Sequence, residues 1–294
     1  MGSLWSTKAC SKVNWPEPVI NPERIGPAPL IAIDRRGSGP LVVFLHGVGG
    51  NRSNWTAQLA AFEPDFTAVA WDARGYGDSD DYEGPLAFGD FSADLLRVLD
   101  HFGASRAHLV GLSMGGRIAL DFCGRHPQRV ASLVLADTSG GMPDGPDKER
   151  RIEAFLRERK QPLLQGITLR ELAPKIARTL VTPSIEPQRL AQAEASLAAL
   201  RADSYLKTLD EVTRYEGFPA FESLRVACLV VVGEHDSVAP PDYARWMASR
   251  IPGARFAMIP GAGHLSNIEC PETFNATVLG FVRETEQHLN GAAP

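Results

Sequence analysis

The sequence predicts an α/β protein built on one mostly parallel central sheet with helices on both faces. Short apolar runs recur along the chain, and several, such as LVVFL at 41–45, are apolar at every position, as strands buried on both faces are. Between the runs lie segments of helical length whose apolar residues repeat with helical period. The residues just after the runs concentrate glycine with Ser, His and Asp, and such sheets place their active sites at the carboxyl ends of strands.

A chain of 294 residues that is 44% hydrophobic and 22% charged is large enough for one core, or one core plus a smaller insertion. Its net charge of -5 argues against a nucleic-acid partner, which calls for a basic face, and favours a small-molecule one. Cys10, Cys123, Cys228 and Cys270 are widely spaced and form neither a C-x-x-C pair nor a zinc-like cluster. They read as small buried hydrophobes in a reducing compartment, so a cytoplasmic location is expected. The opening MGSLWSTKAC lacks a basic and apolar leader, and no apolar run is long enough to span a bilayer, so no membrane association is expected. Gly2 and Ser6 do fit the short N-myristoylation pattern.

Residues 1–30 read as an extended arm, because the proline-rich stretch NWPEPVINPERIGPAPL suits neither a helix nor a central strand. Strands follow at 31–34, 41–45, 67–71, 108–112, 132–136, 227–232 and 255–259. Helices are expected at 54–62, 91–101, 114–125, 241–250 and 271–288. The alternation stops between 140 and 224, where helix-like segments rich in Arg, Ala, Leu and Glu are punctuated by Pro162, Pro174, Pro183 and Pro187. This stretch is expected to be a helical cap inserted into a core made of 31–139 and 225–294.

The strand at 108–112 runs into Gly111-Leu112-Ser113-Met114-Gly115 and then into a helical pattern. That is the context of a nucleophile turn, in which small residues beside Ser113 let the chain reverse sharply and raise the hydroxyl above the sheet. An isolated G-x-S-x-G is also compatible with a plain turn whose serine caps the helix. A serine hydroxyl needs a base, and the base needs a partner that fixes its tautomer. His264, in the glycine-rich turn after 255–259, is the expected base. Asp236, after 227–232, is the expected orienting acid, with Asp137, after 132–136, as the alternative. Glu234 and His235 read as loop residues, and His101, His108, His126 and His288 as surface or satisfied core residues.

After 41–45 comes His46-Gly47-Val48-Gly49-Gly50, the expected oxyanion loop. Backbone N–H groups of Val48 and Met114 are the expected donors to a developing negative charge. No phosphate-binding fingerprint fits this loop, and His46 reads as its brace. Asp72 and Arg74, in the charged turn after 67–71, read as loop-bracing residues close enough to shape the pocket.

HGVGG, DARGYGDSD, GLSMGG, GEHD and GAGHLSNIE occur in this order, and over about 41 to the C-terminus the chain resembles the α/β-hydrolase superfamily. Within it, GLSMGG, SLVLADTSG and GAGHLSNIECPETF resemble 3-oxoadipate enol-lactonases and related small esterases. That resemblance implies the α/β-hydrolase fold and hydrolysis of a carboxylic ester or lactone of a small acid by Ser113, His264 and Asp236, with water as co-substrate and no metal or organic cofactor. It also raises an anionic substrate, met by cap arginines such as Arg150, Arg151, Arg157 and Arg178, although such charges also suit a solvated helix face. Tyr76 stands where enol-lactonases often carry histidine. Leu265 stands where many related carbon–carbon-bond hydrolases carry Trp, and Ser113 departs from the Asp nucleophile of dehalogenases and epoxide hydrolases. Amide or carbon–carbon cleavage by the same residues, and a receptor on the same fold, remain alternatives, because a fold does not fix the bond broken.

Overall fold

Eight strands form one sheet in a computed structural model that describes residues 22–140 and 147–291. The strands are β1 (Glu23–Ile25), β2 (Ile31–Arg36), β3 (Leu41–Leu45), β4 (Thr67–Trp71), β5 (Ala107–Leu112), β6 (Val130–Ala136), β7 (Ala227–Gly233) and β8 (Arg255–Ile259). Their spatial order is β1-β2-β4-β3-β5-β6-β7-β8. The pairs from β4 through β8 are parallel, and β1 and β2 add antiparallel pairs at one edge.

Alternation along each strand divides the apolar residues between two faces. Val43 and Leu45 of β3 with Val230 and Val232 of β7 pack under α2 (Gly89–His101), α3 (Met114–Arg125) and α8 (Pro241–Arg250), through Phe91, Leu95, Ile118 and Met247. Val42 and Phe44 with Leu229 and Val231 pack under α1 (Thr56–Phe62) and α10 (Pro271–Gly291), through Leu59, Phe62, Phe274 and Val278. Both faces are covered, which is why these strands read as unbroken apolar runs. Strand β8 differs, because it is the far edge and only Ile259 is buried.

Between β6 and β7 the described residues form four α-helices, a short 3-10 helix (Phe221–Ser223) and no strand, the α-helices being α4 (Lys148–Leu164), α5 (Leu169–Arg178), α6 (Pro187–Ala198) and α7 (Ala202–Arg214). Pro162 and Pro174 lie inside α4 and α5 rather than ending them. Pro174 is exposed, as is Arg170 one turn earlier, so water can take the carbonyl that proline leaves without a donor. A short helix missed in the sequence, α9 (Ser266–Glu269), follows the His264 turn.

The arm carries one more strand than expected, β1, whose Glu23 to Ile25 pair with Ile33 to Ile31. An edge strand tolerates the nearby prolines because its outer side needs no ladder bond. Residues 1–21 lie outside the described residues, and with them the Gly2 and Ser6 pattern and Cys10. Cys123 and Cys228 are buried free thiols, their pKa values raised by burial, and Cys270 is buried too. Among the described residues, no helix is long and apolar enough to cross a membrane.

Candidate active site

Ser113 leaves β5 with its N–H bonded to the Ala136 carbonyl of β6 (2.9 Å) and becomes the residue before α3. Its φ of 54° is a left-handed conformation that costs a non-glycine residue about 1–3 kcal/mol. The flanking glycines make the turn sterically available. A Cβ on Gly111 would stand 2.3 Å from the Gly115 carbonyl carbon, and one on Gly115 would stand 2.0 Å from the Leu45 oxygen. The Thr138 hydroxyl donates to the Ser113 carbonyl at 2.6 Å and fixes the turn from the neighbouring strand end.

His264 and Asp236 come together in the loops after β8 and β7, with His264 Nδ1 2.9 Å from Asp236 Oδ2. The other carboxylate oxygen accepts the N–H groups of Val238 (2.8 Å) and Ala239 (2.9 Å), so Asp236 cannot swing away without losing three bonds. An ionised carboxylate accepts only, so Nδ1 carries the proton and Nε2 is left with its lone pair. Burial by itself lowers the His264 pKa, but the Asp236 charge and hydrogen bond outweigh it and hold the imidazole above its ordinary value.

Asp137, the alternative acid, points elsewhere. Its Oδ1 accepts the Gly233 N–H (2.8 Å), and Oδ2 accepts the hydroxyl and N–H of Ser266. Burial, reinforced by the Asp236 charge, pushes its pKa well above the carboxylate range. Like Ser113 it has a positive φ, 46°. Glu234 accepts the Gly261 N–H, and His235 is an exposed loop residue, as expected from sequence.

The loop after β3 lies against Ser113, since a Cβ on Gly47 would stand 3.3 Å from the Ser113 Cβ. His46 braces it. The Ala73 N–H donates to His46 Nε2 (3.1 Å), so the ring proton is on Nδ1, which donates to the Gly47 carbonyl (2.8 Å). Burial lowers the His46 pKa, which keeps this tautomer neutral. A trans peptide points the Val48 N–H opposite the pinned Gly47 carbonyl. Neither Val48 N–H nor Met114 N–H donates to another backbone group among the described residues outside regular structure, and Met114 heads α3, where helices leave N–H groups unpaired.

Behind this loop Arg52 joins three carboxylates, Asp34 of β2, Asp72 just after β4 and Asp78 of the turn that follows. It donates to Asp34 (2.9 Å), to Asp72 and to Asp78 (2.6 Å), and Asp72 also accepts the Arg52 N–H (2.8 Å). Asp34 and Asp72 are buried, so removal of the cation strands two charges. Arg52→Met is therefore expected to lower unfolding free energy by about 3–5 kcal/mol, read from urea denaturation; a loss within error would show that the network is not a load on stability. Asp72 braces its loop as expected by accepting the Asp78 N–H (2.8 Å), whereas Arg74 reaches out of the loop to Asp94 of α2 (2.7 Å), and neither lines the cavity described next. Arg74 is turned toward α2 by its carboxylate partners Asp90 and Asp94.

Ser113, His264, Val48 and Met114 all line one cavity of about 640 Å³ between the strand ends and helices α4 to α7. Of the arginines singled out in the cap, only Arg151 lines it. Arg157 and Arg178 are exposed, and Arg150 is exposed and paired with Asp147. The cavity arginines missed in the sequence are Arg117 and Arg159. Arg117 was legible in principle, because a residue four after Ser113 lies on the same face of α3.

The helical segment is tied to the histidine turn by hydrogen bonds. The His264 N–H donates to the Leu180 carbonyl (2.8 Å). Glu269 accepts the N–H groups of Gly263 and Thr182 (both 2.8 Å) and the Thr182 hydroxyl (2.7 Å).

The family profile described as "alpha/beta hydrolase fold" matches residues 40–271 of this chain. The chain is 23% identical over 244 residues to 3-oxoadipate enol-lactonase 2 of Acinetobacter baylyi, covering 83% of this chain and 89% of that protein. It is 27% identical to the putative carbamate hydrolase RutD of Azorhizobium caulinodans, covering 85% and 94% of the two chains. Among solved structures, a thermophilic esterase from Thermogutta terrifontis, with malate bound, superposes with a TM-score of 0.77 at 25% identity, covering 90% of this chain and 99% of that one.

Proposed function

Because this chain belongs to the alpha/beta hydrolase fold family, we propose that it hydrolyses a carboxylic ester or lactone of a small organic acid through an acyl-enzyme on Ser113. The observation that carries this reading is the His264–Asp236 pair, buried and fixed in one tautomer, bordering the same cavity as the strained Ser113 turn. Enol-lactonase and esterase relatives support the bond type.

His264 Nε2 takes the Ser113 proton as the hydroxyl attacks the carbonyl carbon, and the imidazolium that forms faces the Asp236 carboxylate. The oxygen that becomes negative is held by the N–H groups of Val48 and Met114, each such donor being worth about 2.7–4 kcal/mol of barrier. His264 then protonates the leaving oxygen, and the same nitrogen deprotonates the water that releases the acid. In this reading the four helices over the cavity act as a cap that supplies substrate selectivity, and the substrate is a small, anionic molecule.

The test is product analysis on a matched ester, lactone, amide and β-diketone. Faster turnover of the ester or lactone, with a burst of alcohol release, is the expected result. A clear preference for the amide or the diketone defeats the assignment of bond type while leaving the nucleophile in place.

A further inference from the structure

His264 borders two spaces. One is the main cavity, and the other is a second cleft of about 370 Å³ between residues 179–184, which follow α5, and the loop after β7. Among the described residues, Thr179, Leu180, Ser237 and His264 are the ones that line both, so they form the partition. The cleft meets solvent, because Pro183, Ser184, His235 and Ser237 along it are exposed, whereas His264 at its inner end is buried. Hydrogen bonds hold its walls apart. On one side the Leu180 carbonyl accepts the His264 N–H (2.8 Å), the Thr182 N–H and hydroxyl donate to Glu269, and the Ile185 N–H returns to the Thr182 carbonyl (3.2 Å). On the other side Asp236 accepts the Val238 and Ala239 N–H groups, which fixes the loop that carries Ser237. Neither wall can close over the cleft without breaking these bonds.

The two spaces differ in chemistry. Leu112, Phe155, Ile176, Leu197, Leu209 and Val212 line the main cavity, and a water molecule among such side chains finds few hydrogen-bond partners. The cleft offers the Thr182 and Ser184 hydroxyls, 3.1 Å apart, the His235 imidazole and, at the partition, the Ser237 hydroxyl. Several polar partners in a row are what a passing water needs to leave bulk solvent at little cost. An acyl group on Ser113 occupies the apolar cavity, yet the water that releases it must meet His264 Nε2 and the acyl carbonyl together.

We propose that this cleft is the water entrance of the site, with Ser237 at its inner mouth, so that acyl group and water approach His264 from different spaces. The inference rests on the acyl-enzyme reading above. In the step it serves, His264 Nε2 takes one proton of the water as the water oxygen bonds to the acyl carbon. The bond from that carbon to the Ser113 oxygen then breaks, and His264 returns the proton to Ser113. Acylation uses the main cavity alone, whereas release of the acid also uses the cleft. Filling the cleft therefore slows the second half of the reaction and spares the first.

Ser184 and His235 line the cleft but not the cavity, stand on its two walls and are exposed, so Ser184→Trp and His235→Trp fill it without touching the groups assigned to the chemistry. Each full-length protein is mixed with saturating p-nitrophenyl butyrate and quenched with acid in the steady state. Intact-mass spectrometry then gives the ratio of acylated to free Ser113. Each tryptophan variant is expected to raise this ratio by about tenfold while leaving kcat/KM, which reports acylation, at the wild-type value. Ser184→Ala removes the hydroxyl without filling the cleft and should raise the ratio far less than Ser184→Trp. An unchanged ratio in both tryptophan variants, a kcat/KM that falls as far as kcat, or an equal rise in Ser184→Ala overturns the water route. Absence of any acyl adduct on Ser113 in the wild type overturns the hydrolase reading instead, and the route with it. The two tryptophans enter separate loops, so if circular dichroism shows that one variant does not fold, the other decides.

Discussion

Ser113→Ala is expected to abolish the burst of alcohol release from a p-nitrophenyl ester and to lower kcat by roughly 10⁶-fold, the scale seen when a serine nucleophile that works as a unit with its base is removed. The size of the effect follows from geometry. Ser113, His264, Val48 and Met114 line the same cavity, and Ser113 is the hydroxyl there held on a left-handed turn at the head of α3. Thr138, the nearest strand-end hydroxyl, is already spent on the Ser113 carbonyl at 2.6 Å. Stopped-flow kinetics with the purified variant is the measurement, and a burst that persists removes Ser113 from the chemistry. A companion variant separates reactivity from folding. Ser113→Gly loses the same hydroxyl but relaxes a φ of 54°, so it should melt above the wild type while being as inactive as the alanine variant. A lower melting temperature would mean that the Ser113 side chain contributes more to stability than its backbone strain removes.

Asp236→Asn should reduce kcat by about 10⁴-fold, because a neutral amide no longer enforces the tautomer that leaves Nε2 basic and no longer faces the imidazolium with a full charge. The amide also presents an N–H where Asp236 accepts from Val238, Ala239 and His264, so one of these contacts becomes repulsive. The pH profile gives an independent reading. In the wild type Asp236 holds the His264 pKa above 6.5, and only neutral imidazole can accept the Ser113 proton. Activity therefore falls as pH drops through a limb lying above 6.5. In Asp236→Asn the attraction is gone while burial, which disfavours the charged ring, remains, so the limb should move to lower pH. An unmoved limb would show that another group, with Asp137 the first candidate, sets the His264 pKa.

The unused carboxyl of Asp137 bears on how such sites are read. It follows a strand end as Asp236 does, and along the chain the two are equivalent. They are distinguished by what surrounds them. Asp137 is engaged by Ser266 and the Gly233 N–H, and its environment favours the protonated form, whereas Asp236 lies against His264 Nδ1. Neither set of partners is visible in the local sequence, because Ser266 lies 129 residues from Asp137.

By itself the sequence determined the sheet and its strand ends. Runs such as 41–45 and 227–232 are buried on both faces, so their period and composition report strands directly, and glycines at 111 and 115 report a turn with room for no side chain. It also put Ser113, His264 and Asp236 in separate loops at the same edge of that sheet. Only the tertiary structure decided which charges stay paired. Arg52 is spent on three carboxylates and Arg74 on two, Arg150 on a neighbour in its own helical turn, while Arg117 reaches the cavity with neutral partners. The reason is physical: pairing and desolvation depend on distances between segments far apart in the chain, and an arginine reads the same in a sequence whether it ends in water, beside an aspartate or at the wall of a pocket.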